Sequence, residues 1–194
     1  MKIGFMGGSF DPVHFGHLVA AQDAYERGGL DRLIFVPTAQ AALKPGAVQA
    51  SGEARLAMLR AAVDMDSRFE ISDYEVRKGG TSYTIETARH FRTLFPGDEL
   101  AWVIGADQVD RLHLWREIAE LVTLVEFIVL ARPGWGMTQR TDIAGLRLRW
   151  CPGHLVEISS TEVRERVQAG LAVDYLIPHK TVEYIRETGL YRAT

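Results

Sequence analysis

Cysteine is nearly absent: the 194 residues contain one, Cys151. That excludes an intrachain disulfide and a zinc site built on cysteines, and it fits a reducing compartment. An excess of basic charge is missing too. Lys and Arg total 22 against 25 Asp and Glu, a formal charge of −3. No broad positive field exists to recruit nucleic acid, so a phosphate-bearing ligand must be held by local groups. Long apolar runs are also lacking. The most apolar stretch, Leu121 to Ala131, is interrupted by Glu126 and falls far short of the roughly 20 residues that a membrane helix needs. The opening MKIGFMGGSF is too short and too glycine-rich for a signal-peptide apolar region, and Asp11 follows at once. The expectation is a cytoplasmic protein with no membrane partner. Internal repeats, low-complexity tracts and long like-charge runs are absent. No Gly-Lys-Ser or Gly-Lys-Thr occurs anywhere, which rules out a Walker loop.

What is present reads as one globular unit. Hydrophobic residues make up 47% and charged residues 24%, a balance that argues against disorder and coiled coil. The length suits a single domain able to bury one core without a staple. We expect one domain over 1–194, with a sheet core over about 1–155 and a helical part over about 156–194.

Short apolar runs alternate with amphipathic stretches. Lys2–Met6, Leu33–Val36, Phe69–Ile71, Ala101–Ile104, Phe127–Leu130 and Leu146–Trp150 read as strands. Between them lie helical patterns: from about Val13 to Gly28-Gly29, after Ser51, from about Ser82, and across Leu112, Trp115, Ile118 and Leu121. Two further helices are expected at about Ser160–Ala169 and His179–Thr188, the second closed by Gly189. Strand–helix alternation implies right-handed crossovers and an α/β, Rossmann-like fold. Its sheet is mostly parallel and doubly covered, with a small C-terminal helical cap. Ligands of such sheets sit beyond the carboxyl ends of the strands, where the polar motifs fall.

The first motif runs from Gly7 to His17: Gly-Gly-Ser-Phe-Asp-Pro-Val-His-Phe-Gly-His. Two glycines after a strand let backbone approach a ligand closely. His14 and His17, three apart at a helix start, share one face beside unpaired N–H groups, a setting that favours anions. The competing readings are a capped strand–turn–helix and a metal-binding His pair. No third Cys, His or carboxylate stands at ligand spacing. The third glycine of the dinucleotide fingerprint is missing.

The second motif is Ile158-Ser159-Ser160-Thr161-Glu162-Val163-Arg164. Ser159 and Glu162 form a capping box with Ile158 and Val163 as its staple. A cap needs one hydroxyl, however, not three in a row. The extra hydroxyls and Arg164 make a second anion-binding helix start.

Together the HxGH and ISSTxxR boxes resemble the nucleotidylyltransferase superfamily, and within it the bacterial nicotinate-nucleotide adenylyltransferases. Thr81-Ser82-Tyr83-Thr84, Gly105-Ala106-Asp107 with Leu112 and Trp115, Ala131-Arg132-Pro133-Gly134, and the tail through Gly189-Leu190-Tyr191 resemble further segments of that family. Its PPHK segment is matched by Ala41-Ala42-Leu43-Lys44, which keeps only the lysine.

The resemblance implies adenylyl transfer from ATP to nicotinate mononucleotide, giving deamido-NAD and pyrophosphate, with Mg²⁺ held mainly by ATP and water. It implies that Gly8, Ser9, Phe10, Lys44 and Gly105 belong to the ATP site. His14 and His17 would stabilise the reacting phosphates, and Ser160, Thr161 and Arg164 would hold pyrophosphate. Tyr83, Thr84, Asp107, Trp115 and Arg132 would serve the second substrate. Trp115 is open to a second reading as core, and Asp11 to two, as a contact to the metal or to hydroxyls or as a turn stabiliser beside Pro12. No motif sets the oligomeric state, and a homo-oligomer is left open. Three alternatives stand beside this reading: phosphopantetheine adenylyl transfer, the amide mononucleotide as substrate, and a non-catalytic nucleotide-binding regulator.

Overall fold

The computed structural model describes residues 1–42, 48–131 and 142–192. In chain order its elements are β1 (Lys2–Gly8), α1 (Phe15–Gly28), β2 (Arg32–Pro37), β3 (Gln40–Ala41), α2 (Gly52–Val63), β4 (Phe69–Ile71), α3 (Tyr74–Lys78), β5 (Thr81–Ser82) and α4 (Thr84–Leu94). Then come β6 (Glu99–Gly105), a 3₁₀ segment (Ala106–Leu114), α5 (Ile118–Leu124), β7 (Glu126–Leu130), β8 (Leu148–Cys151), α6 (Ser160–Gln168) and α7 (His179–Thr188).

Six strands form one parallel sheet in the order β4-β2-β1-β6-β7-β8. Numbered by appearance within that sheet, this is 3-2-1-4-5-6, the doubly wound arrangement whose strand order reverses between the first and fourth strands. The alternation within a strand assigns residues to two cores. Leu33 and Phe35 of β2 pack into one, among residues of α1, α2, α6 and α7. Ile34 and Val36 pack into the other, under α4, the 3₁₀ segment and α5. Both faces are therefore buried, as the continuous apolar runs predict. The C-terminal helices complete one helical layer: Val163, Val182 and Ile185 belong to the first core. α7 is tied to α2 by Thr181 Oγ1, which donates to the Met58 carbonyl, and by the Lys180–Asp64 ion pair.

Local signals read from sequence hold at the caps. Ser51 Oγ accepts from the Ala54 N–H at 3.2 Å, Ser159 Oγ from the Glu162 N–H at 3.1 Å, and Gly189 takes φ 69° after α7. Three expectations change. α1 starts at Phe15 rather than Val13, because His14 is extended, with φ −141° and ψ 168°. α4 starts at Thr84 rather than Ser82, because Ser82 pairs with Ala41 in a second, two-stranded sheet. The single helical face across Leu112–Leu121 is two pieces: the 3₁₀ segment ends at Leu114 and Glu117, at φ 52°, turns the chain into α5. A spacing of three fits a helix with 3.0 residues per turn as well as an α-helix, so the pattern could not separate them.

Candidate active site

β1 and β6 are the neighbours between which the strand order reverses, and their carboxyl ends open into a cavity of about 1020 Å³. Met6 to Ser9 and Trp102 to Gly105 line it. Its volume sits at the top of the roughly 300–1,000 Å³ range of small-molecule sites.

The first box forms one wall. His14 is the N-cap of α1 and is 6% exposed; His17 lies one turn in, and both rings line the cavity. They stack at 3.7 Å between centroids. The His14 backbone N–H donates to His17 Nδ1 at 3.3 Å. That bond makes Nδ1 an acceptor and places the proton of neutral His17 on Nε2. Gly16 is required by space: a Cβ there would stand 2.9 Å from His14 Nδ1. Gly8 and Ser9 line the cavity, whereas Phe10, at φ 47° and fully buried, lies beneath it. Its ring meets His17 edge-on at 4.9 Å and Phe35 at 5.5 Å. Phe10 thus supports the histidine.

The second box faces the first. α6 presents Ser159 and Glu162 to the cavity. Ser160 Oγ donates to the Pro12 carbonyl at 2.9 Å, and Arg164 Nη1 donates to the Asp11 carbonyl at 2.7 Å. Arg164 Nη2 also donates to Thr161 Oγ1 at 3.1 Å. The two anion-favouring helix starts, α1 and α6, therefore converge and are bonded to one another through backbone carbonyls.

The cavity also collects residues expected to serve a second ligand. Tyr83, Thr84, Asp107 and Trp115 line it, as does Gly105, which was expected at the ATP site. Trp115 is half-buried, edge-on to Phe127 at 6.0 Å, and lines the cavity. Arg116 adds a cation over the Tyr83 ring, 4.6 Å from its centroid. Lys44 and Arg132 lie outside the described residues.

Two cavity groups escaped sequence reasoning. Asp23, 3% exposed on α1, accepts from the His154 N–H at 2.7 Å and lies 3.1 Å from His154 Nδ1. It anchors the segment leading into α6. A carboxylate on the buried face of an amphipathic helix was the signal. Glu75 of α3, 4% exposed, accepts from the Thr87 hydroxyl at 2.5 Å. The Ser82 hydroxyl in turn accepts from the Ala39 N–H at 3.0 Å. Glu75 thus braces the segment that carries Tyr83 and Thr84.

Burial pushes the Glu75 carboxyl above its ordinary value, against the Ser82 and Thr87 hydroxyls and Lys78. A raised folded-state value means that the folded protein holds this proton more tightly than the unfolded chain does. The associated stability is present below the unfolded value and is lost as pH rises through the folded one. We expect the melting temperature of Glu75→Gln, relative to wild type, to climb as pH rises from about 4, near the ordinary Glu value. A pH-independent difference would show that the carboxyl does not titrate there.

The acidic groups bear on Mg²⁺. Asp11, the carboxylate of the first box, accepts from the Gln49 N–H at 2.6 Å, the Ala50 N–H at 3.1 Å and the Tyr191 hydroxyl at 2.6 Å. It is fully buried and does not fit a metal-ligand role. No group of three or more His, Cys, Asp or Glu among the described residues could hold a metal ion.

A family model described as Cytidylyltransferase-like matches residues 5–166. A relative from Opitutus terrae, called a probable nicotinate-nucleotide adenylyltransferase, is 65% identical over 192 residues, covering 99% of this chain and 98% of its own. The chain belongs to the Cytidylyltransferase-like family and, within it, to the nicotinate-nucleotide adenylyltransferases. A Saccharopolyspora erythraea protein of the same description is 41% identical, covering 98% of this chain and 90% of its own. Among solved structures, the Plasmodium falciparum nicotinic acid mononucleotide adenylyltransferase complexed with NaAD is similar with a TM-score of 0.78. It is 21% identical, covering 98% of this chain and 97% of the other; this likeness shows the adenylyltransferase fold. Among the described residues no helix is long and apolar enough to cross a membrane.

Proposed function

We propose that this adenylyltransferase transfers the adenylyl group of ATP to nicotinate mononucleotide, forming deamido-NAD and pyrophosphate in the cytoplasm. The observation that carries the reading is the convergence of the α1 and α6 starts, with His14 and His17 between them, on one cavity at the strand-order reversal. The relatives carry the same name along nearly the whole chain.

The substrate phosphate attacks the α-phosphorus of ATP in line, and pyrophosphate leaves. Both reactants are anions, so the protein's task is alignment and charge stabilisation. Gly8 and Ser9 let the nucleotide lie against the end of β1. His17 donates from Nε2 to the reacting phosphates, and His14 stands stacked beside it. The N-terminal turn of α6 receives the departing pyrophosphate. Within this turn Arg164 and Ser160 hold the two boxes together while adding positive potential, and Thr161 extends the hydroxyl set. Mg²⁺ arriving with ATP would supply further charge neutralisation, held mainly by the nucleotide and water. Tyr83, Thr84, Asp107 and Trp115 bind the mononucleotide, with Trp115 as the aromatic platform for its ring.

With Mg-ATP and each of nicotinate mononucleotide, nicotinamide mononucleotide and phosphopantetheine, we expect the first to show the highest kcat/KM by pyrophosphate release. Faster turnover of phosphopantetheine would overturn the reading; faster turnover of the amide would change the substrate alone.

A further inference from the structure

A buried polar cluster beneath the first box joins segments that lie up to 180 residues apart. Asp11, fully buried, is its centre. Oδ1 accepts from the Tyr191 hydroxyl at 2.6 Å and from the Ala50 N–H at 3.1 Å, and Oδ2 accepts from the Gln49 N–H at 2.6 Å. Arg164 Nη1 lies 4.0 Å from Oδ2 while donating to the Asp11 backbone carbonyl. Arg55, 1% exposed on α2, donates from Nη1 to the Ser9 carbonyl at 2.8 Å. One carboxylate therefore holds the backbone at Gln49-Ala50, adjoins the guanidinium of the second box and receives the hydroxyl of the C-terminal tail.

We propose that Tyr191 is a positioning residue for the ATP site, acting through Asp11 to hold the two phosphate-facing boxes in one arrangement. The inference rests on the adenylyl-transfer reading for the identity of the nucleotide. Three observations support it beyond the hydrogen bond itself. Tyr191 sits at φ 64°, a conformation a non-glycine residue adopts only when its surroundings hold it there. Burial and its bond to Asp11 raise the hydroxyl far above the ordinary tyrosine value, keeping it a donor. The Leu176 carbonyl accepts from the Phe15 N–H at 3.0 Å and Ser160 Oγ donates to the Pro12 carbonyl. The segment after β8 thus grips the first box at Asp11, Pro12 and Phe15. The burial of Asp11 makes each donor count, because a buried carboxylate that loses one is left with unsatisfied charge.

Tyr191→Phe removes the hydroxyl and keeps the ring. We expect kcat/KM for ATP to fall about 10–100-fold, the loss that misplacement of reacting groups produces. The KM for nicotinate mononucleotide, whose proposed contacts are Tyr83, Thr84, Asp107 and Trp115 rather than the Asp11 cluster, should stay within about 2-fold of wild type. Binding of a non-reacting ATP analogue, with methylene in place of the α,β-bridging oxygen, should weaken in parallel. That arm needs no second substrate, so it still reads if the nicotinate assignment fails. Adding Tyr191→Phe to Asp11→Asn should cost less than about 2-fold further, since both act through one carboxylate. A Tyr191→Phe protein that melts lower yet keeps wild-type ATP kinetics per folded molecule would overturn the proposal, as would multiplicative effects in the double variant. Native-state hydrogen exchange of the unaltered protein tests the same point without a variant. The Gln49 and Ala50 amides should open together with the tail around Tyr191 as one unit; a tail that opens while those amides stay protected would also overturn it.

Discussion

His17→Ala is expected to lower kcat by about 10²–10³, the usual consequence of removing one preorganised donor to developing charge. The cause is geometric. His17 Nδ1 is committed to the His14 N–H, so Nε2 carries the proton of the neutral ring, and the ring lines the cavity. A donor of this kind acts most strongly as charge builds on the reacting phosphates, so kcat should fall more than ATP binding weakens. The structural cost is smaller. The variant loses the acceptor of the His14 N–H, a stacking partner for His14 and an edge contact to Phe10. An unsatisfied N–H of this sort costs about 1–3 kcal/mol, while Ala21 and Ala24 keep α1 docked in the core. Circular dichroism melts and steady-state kinetics on one preparation separate the two effects. If His17 only caps α1, the pattern reverses: the melting temperature falls and activity per folded molecule stays at wild type.

Arg164→Ala is expected to damage both stability and activity. The side chain is 14% exposed, donates to the Asp11 carbonyl at 2.7 Å and lies 4.0 Å from the Asp11 carboxylate. Its removal leaves that carboxylate with Arg55 as the remaining cation of the cluster. Breaking a buried, hydrogen-bonded charge arrangement costs about 3–5 kcal/mol when fully enclosed. Partial exposure, the 4.0 Å gap and the surviving donors to Asp11 bring our expectation to about 2–3 kcal/mol. In a chain of this length that corresponds to a melting shift of roughly 5–10 °C. Activity should fall by about 100-fold or more, because the two boxes lose their shared anchor and the α6 turn loses a cation. Arg164→Lys keeps the charge but cannot bond the Asp11 carbonyl and Thr161 together. It should recover most of the melting temperature and little of the rate. Full activity in Arg164→Ala at temperatures where it is folded would remove the α6 turn from the mechanism.

These effects converge on the N-terminal turns of two helices, both singled out in the sequence. The apolar runs revealed the four inner strands of the main sheet because strands buried on both faces carry little polar alternation, whereas the edge strands β4 and β8, which expose Glu70 and Arg149, showed as shorter runs. Ser51, Ser159 and Gly189 were readable as caps because a cap depends on residues within four positions of one another. The HxGH and ISSTxxR boxes were readable for the same reason: each places its donors within one helical turn. Tyr83, Thr84, Gly105, Asp107 and Trp115, singled out by resemblance, all line the cavity: Tyr83 and Thr84 follow β5, Gly105 ends β6, and Asp107 and Trp115 open and close the segment after it.

What sequence alone determined, then, is everything whose cause is local: strand and helix identity, caps, and the two helix-start boxes. Tertiary structure alone decided which of these groups meet the cavity and which hold it together. Phe10 went beneath His17, and Ser160 and Arg164 turned onto the Pro12 and Asp11 carbonyls. Asp11 found Tyr191 across 180 residues, and Asp23 found His154 across 131. The strand order, which sets the cavity between β1 and β6, likewise followed from long-range packing. The physical reason is common to all of them. A hydrogen bond between distant segments imposes no period and no composition on the chain that encodes it, so it becomes visible only when folding has brought its two ends to within 3 Å.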